Sequence, residues 1–117
     1  MEHETSIEKG DRFEDDVFRT LSQMIDDGLF LAPRENTRIL RKPRYYSKDR
    51  EKEIEFDISV EISFPGETRY SVLCIAECKD LAGNVPVDDL EEFHSKLQQV
   101  GAHKGIVFSR SAFQSGA

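Results

Sequence analysis

Apolar residues recur along this chain with two clear periods. Phe13, Val17, Leu21, Met24 and Ile25 follow steps of four, four, three and one, the buried stripe of an amphipathic helix. Gly28 marks its stop and places its end near Asp27. Upstream, Thr5 and Glu8 have the spacing of a capping box, while Gly10 could delay the regular helix until Asp11. The period then changes to two. In "IEFDISVEISF", Ile54, Phe56, Ile58, Val60, Ile62 and Phe64 alternate with Glu55, Asp57, Ser59, Glu61 and Ser63, as in one strand with a wet face. "PGET" turns the chain, and "RYSVLCIAECK" follows as a second strand. Its odd positions Leu73 and Ile75 are also apolar, so it is expected to be covered on both faces. The two form a predicted hairpin. Leu90, Phe93, Leu97 and Val100 then mark a second helix, with Asp88 as its cap and Gly101 as its stop, before the short strand "GIVFS". A strand, a helical crossover and another strand form a right-handed parallel unit. The predicted architecture is α/β, a mixed sheet with an antiparallel hairpin, a parallel βαβ unit and flanking helices.

The apolar pattern also sets the hairpin register. Matching Phe64 with Tyr70, Ile62 with Val72, Val60 with Cys74, Ile58 with Ala76 and Phe56 with Cys78 places Asp57 directly beside Glu77. Opposed residues on one face have Cβ atoms about 4.5 to 5.5 Å apart, and two like charges there are destabilising. Either one carboxyl holds a proton or a cation neutralises the pair. Lys79, one step further along the same face, brings a single positive charge. Two carboxylates beside a backbone carbonyl suit Mg²⁺, which keeps its other positions for water and phosphate. Ordinary salt-bridged residues at a surfacing strand end are the plainer reading.

With 117 residues the chain has room for one small domain. No run of about 18 apolar residues offers a membrane span, and "MEHETSIEKG" lacks the order of a signal peptide, so a cytoplasmic protein is expected. Cys74 and Cys78 share a strand face roughly 13 Å apart, too far for a mutual disulfide. His3, His94 and His103 are scattered, and no cysteine–histidine cluster has the spacing of a structural zinc site. The net charge is −7, unevenly spread. Residues 34–52, "RENTRILRKPRYYSKDREK", hold eight Lys and Arg against three acids, +5 locally, which leaves −12 elsewhere. This stretch, with Tyr45 and Tyr46 inside it, could grip a nucleic-acid backbone by charge and stacking through Arg38, Arg41, Lys42, Arg44, Tyr45 and Lys48. A solvated charged loop is the alternative.

Asp57 followed in the next strand by "ECK" resembles the D…(D/E)xK motif of the restriction-endonuclease-like PD-(D/E)xK nuclease superfamily. The Mrr-like branch is the most similar. There "G..FE" opens the first helix, as "GDRFE" does here, and the motif strand leads through a valine-bearing loop and a helix to a "GIVV(T/S)" strand, as "GNVPVDDLEEFHSKLQQVGAHKGIVFS" does here. The resemblance runs from about residue 10 to the end of the chain. It implies a tail over residues 1–9 and a restriction-endonuclease-like domain over 10–117. No proline precedes Asp57. The family also continues the helix that would begin around Ser111 and adds a strand, so the domain is expected to be truncated at its C-terminus.

By position, the resemblance assigns Asp57 and Glu77 to Mg²⁺, which Mn²⁺ can replace, with help from the Cys78 backbone carbonyl. It assigns Lys79 to the attacking water and matches Glu14 to the helical acid that often completes the site. Asp80 reads as a loop residue. The implied activity is metal-dependent endonuclease hydrolysis of phosphodiester bonds, with DNA the expected substrate and no membrane partner. Cutting both strands at once needs two sites, which a homodimer would supply. Two other readings remain open: an inactive nucleic-acid-binding module on the same fold, and a protein-interaction domain using its acidic surface.

Overall fold

The computed structural model describes residues 5–79 and 84–110. Helix α1 spans Ser6–Asp26 and is fixed at its start by the capping box: the Glu8 N–H donates to Thr5 Oγ1 at 3.1 Å and the Thr5 N–H to Glu8 Oε2 at 3.4 Å. Gly10 lies inside the helix, so the regular helix begins at Ser6 and is not delayed until Asp11. Gly28 follows its cap with φ +72°, a conformation that glycine adopts without a Cβ clash.

The basic stretch is not a loop. A short 3-10 turn at Arg34–Asn36 leads to strands β1 (Thr37–Arg41) and β2 (Arg44–Ser47). The alternating run 54–64 is likewise not one strand. It divides into β3 (Lys52–Glu55) and β4 (Ile58–Ile62), with Phe56 and Asp57 between them. Strand β5 (Val72–Lys79), helix α2 (Val87–Val100) and strand β6 (Lys104–Ser109) complete the described elements. The larger sheet has the order β1-β4-β5-β6, antiparallel except for the β5–β6 pair, and β2 and β3 form a separate hairpin. The described residues thus form an α/β fold with a mixed sheet and two α-helices. The predicted helix around Ser111 and the loop residue Asp80 lie outside the described residues.

The break in the long run follows from the need to cover β5 on both faces. Leu73 and Ile75 pack with Ile54, Phe56 and Phe93, whereas Ile58 and Ala76 pack on the other face with Val17 and Leu21 of α1. Ile54 and Phe56 therefore serve the α2 side and Ile58 the α1 side, and the chain changes face between them. Phe56, Ile58, Leu73 and Ile75 are all essentially inaccessible, each burial worth roughly 1.5 to 3 kcal/mol. The register of Ile58 with Ala76, Val60 with Cys74 and Ile62 with Val72 is the predicted one. It stops at Ile58, so the predicted pairing of Phe56 with Cys78 is absent from the ladder, and so is that of Phe64 with Tyr70.

The supposedly wet face of β4 is covered too. Ser59 is fully buried because Tyr45, on β2, lies over it. The Tyr45 hydroxyl donates to Glu61 Oε2 at 2.6 Å and shares a 2.7 Å hydrogen bond with Ser59 Oγ. Ser47 Oγ meets Gln99 Oε1 at 3.1 Å and ties the same hairpin to α2. Helix α2 is capped by Pro86 rather than Asp88, which sits in its first turn, and it stops at Gly101 in the left-handed region. Cys74 and Cys78 are free thiols, as expected. No described helix is long and apolar enough to cross a membrane.

Gly105 on β6 packs directly under α2: a Cβ there would overlap Leu97 Cδ1 and stand 3.0 Å from Phe93 Cε2. Gly105→Ala is expected to cost about 1 to 3 kcal/mol by overpacking, measured by urea denaturation, whereas Gly10→Ala, with open space around it, should not destabilise.

Candidate active site

The change of face at Phe56–Asp57 is held by backbone hydrogen bonds to the link between β1 and β2. The Lys42 N–H donates to the Asp57 carbonyl at 2.9 Å and the Phe56 N–H to the Pro43 carbonyl at 3.0 Å. Lys42 itself has φ +54°, uncommon for a side chain of its kind. This pairing places Asp57 against the last turn of the pleat of β5. The Cys78 N–H donates to Asp57 Oδ2 at 2.9 Å, and the Asp57 N–H donates to Glu77 Oε1 at 3.1 Å. Asp57 and Glu77 are therefore adjacent, as the register predicts, although Asp57 lies just outside the ladder.

Glu14 reaches the same place from α1. It is one turn before Val17 on the buried stripe and only 4% exposed. Arg41 is on the face of β1 that meets α1, and its Nε donates to Glu14 Oε1 at 3.0 Å while Nη1 meets Asp15 Oδ1. The Lys42 ammonium lies 2.9 Å from Glu14 Oε2 and 3.4 Å from Asp57 Oδ1, bridging the two carboxylates. Against burial, which disfavours charge, the two carboxylates raise the Lys42 pKa. Lys42 thus supplies a compensating cation to Asp57, and it comes from a segment assigned from sequence to nucleic acid. Nothing in the spacing separates Lys42 from its seven basic neighbours in that segment. Its role depends on β1 being a strand and on the left-handed link that follows.

Two pKa shifts report how closely the acids gather. Burial, then the Asp57 charge, pushes Glu77 up to about 7. Burial followed by Asp57, Glu14 and Glu77 pushes the Cys78 thiol up to about 12, so it stays protonated and is no nucleophile. Lys79, half-buried at the end of β5, is near enough to both Glu77 and Glu92 of α2 to favour their charged forms.

The six residues expected to contact nucleic acid do not form one surface. Arg38 is exposed on β1, on the face shared with Glu61. Arg41 and Lys42 turn to the acids, Arg44 pairs with Glu55 at 3.6 Å, and Tyr45 faces the core. Lys48 lies at the tip of the β2–β3 hairpin beside Tyr46, which is 58% exposed and is the outward ring of the two.

Among the described residues, no three histidine, cysteine or acidic side chains are gathered as a metal centre. The site offers two carboxylates, Asp57 through Oδ1 and Glu77 through Oε2, with a backbone carbonyl at Cys78. All are hard oxygens of the type that suits Mg²⁺ or Mn²⁺. The Lys42 ammonium bridges Glu14 and Asp57. No protein-family model, curated protein or solved structure matches the chain.

Because the pKa of Glu77 is raised in the fold, its contribution to stability is present below about pH 4.5 and lost as pH rises through about 7. Urea denaturation should show wild type losing about 2 kcal/mol relative to Glu77→Gln over that interval. Parallel profiles for the two proteins would mean that Glu77 titrates as an ordinary carboxylate.

Proposed function

We propose that the chain is a metal-dependent nuclease that hydrolyses phosphodiester bonds, with DNA the expected substrate, on a restriction-endonuclease-like core. The observation that carries this reading is the interlock of Asp57 and Glu77 at the change of face, where each carboxylate accepts from a backbone N–H of the other segment. Two carboxylates fixed in this way, with one raised toward neutrality, are an expensive arrangement for a surface and a useful one for holding a cation. Its place at the end of a β5 strand that leads to Lys79 follows the D…(D/E)xK order.

Asp57 and Glu77 would hold Mg²⁺ or Mn²⁺, with the Cys78 carbonyl as a third oxygen. When bound, such an ion lowers the pKa of a coordinated water and offsets charge on the phosphate. Lys79 orients the attacking water. The water oxygen would form the new bond to phosphorus as the bond to the leaving sugar oxygen breaks. The proton lost by the water would pass to solvent, and the leaving oxygen would take a proton from solvent. Glu14 holds Arg41 and Lys42 in place beside the reacting phosphate. The exposed cations Arg38 and Lys48 contact backbone phosphates, which position a duplex without reading its sequence.

A second reading has one observation in its favour. Lys42 and Arg41 already neutralise Glu14 and Asp57, as a binding module without turnover would need. Incubation of supercoiled DNA, linear DNA and RNA with Mg²⁺ or Mn²⁺ separates the two. Wild type is expected to cleave DNA, Asp57→Ala and Lys79→Ala to lose roughly a hundred-fold or more, and Ca²⁺ not to support turnover. Cleavage that survives both substitutions would remove the site assignment. Binding without cleavage, weakening steeply with salt, would select the module.

A further inference from the structure

The position of Lys42 has a consequence for how a metal reaches this site. Asp57 has two carboxylate oxygens, and Oδ2 already accepts the Cys78 N–H. Oδ1 receives no backbone N–H in the interlock with β5 and is the freer oxygen for a metal, and it is the one that the Lys42 ammonium faces at 3.4 Å. A divalent cation and an ammonium held on one carboxylate oxygen would repel strongly at that separation. The ammonium has somewhere to go. The Lys42 side chain is 47% exposed, and its shorter contact, 2.9 Å, is to Glu14 Oε2 on α1. Its backbone stays fixed, because the Lys42 N–H is bonded to the Asp57 carbonyl and the adjoining Pro43 carbonyl to the Phe56 N–H.

We propose that the Lys42 ammonium and a divalent cation are mutually exclusive partners of Asp57 Oδ1, with Lys42 the resident counter-ion that the metal displaces while Glu14 retains it. The inference rests on the nuclease reading only in placing the metal at Asp57 and Glu77. The exchange solves two problems together. Glu14, almost fully buried, keeps Arg41 and Lys42 as partners throughout, and Asp57 is never left uncompensated beside Glu77. It also makes Lys42, rather than Lys79 alone, a cation available to the substrate phosphate once the metal is in place.

Calorimetric titration with Mn²⁺ of wild type, Lys42→Met and Lys42→Gln tests the competition without turnover. Both variants are expected to bind Mn²⁺ at least about ten-fold more tightly than wild type, because the competing charge is gone. In wild type, limited acetylation by acetic anhydride, read by mass spectrometry, should mark Lys42 severalfold faster when Mn²⁺ is added, with Lys96 as the internal reference. If the variants do not fold, the acetylation result on wild type decides. Mn²⁺ binding with unchanged affinity in the variants, or with unchanged Lys42 acetylation, would overturn the exchange and leave the nuclease reading standing. Absence of Mn²⁺ binding in wild type and variants would overturn both. Exchange without DNA cleavage would uphold this inference and remove the nuclease.

Discussion

The structure depends on one change of face. Strand β5 is apolar on both sides, and α2 alone does not supply enough cover for Leu73 and Ile75. Ile54 and Phe56 provide the rest, and two residues later Ile58 must be on the opposite side with α1. A continuous pleat would put all three on the same face. The chain therefore leaves the ladder at Phe56 and Asp57 and borrows its hydrogen bonds from Lys42, Pro43 and Cys78. Asp57 and Lys42 are positioned by that exchange of partners, and Glu14 from α1 and Glu77 and Lys79 from β5 meet them there.

The electrostatics follow from the same geometry. Asp57 and Glu77 are brought together by backbone hydrogen bonds rather than by mutual attraction, so their repulsion has to be absorbed elsewhere. Burial, and then that repulsion, raise the pKa of Glu77, while the Lys42 ammonium offsets the charge of Asp57. Glu14 extends the network into α1, where Arg41 also lies 5.7 Å from the ring centroid of Phe18. The result is an alternating cluster of acids and bases joining α1, the β1–β2 link, the change of face and the end of β5. Buried charges in such a cluster are costly to isolate, and removal of one member exposes the others to that cost.

Much of this was legible in the sequence, and the limits are physical. The helical stripe, the stops at Gly28 and Gly101, the β4–β5 register and the parallel unit follow from local periodicity, which tertiary contacts did not override. The proximity of Asp57 and Glu77 was also readable, because parity carries across a hairpin. The change of face was not readable, since faultless alternation from Ile54 to Phe64 contains no sign that the two halves face different helices. Strands β1 and β2 were hidden by charge: Arg38, Arg41, Lys42 and Arg44 made the segment look like solvated loop, though each of its residues Ile39, Leu40 and Tyr45 is at least half covered. Lys42 could be found only from the fold, because its partners Glu14 and Asp57 are 28 and 15 residues away in sequence.

The most direct measurement is a crystal of the chain soaked in Mn²⁺, with data collected to reveal anomalous scattering. One peak between the carboxylates of Asp57 and Glu77, with the Lys42 ammonium withdrawn to Glu14, is the predicted result. No peak there, with Lys42 still paired to Asp57 at saturating Mn²⁺, would contradict the assignment of these two carboxylates as a metal site.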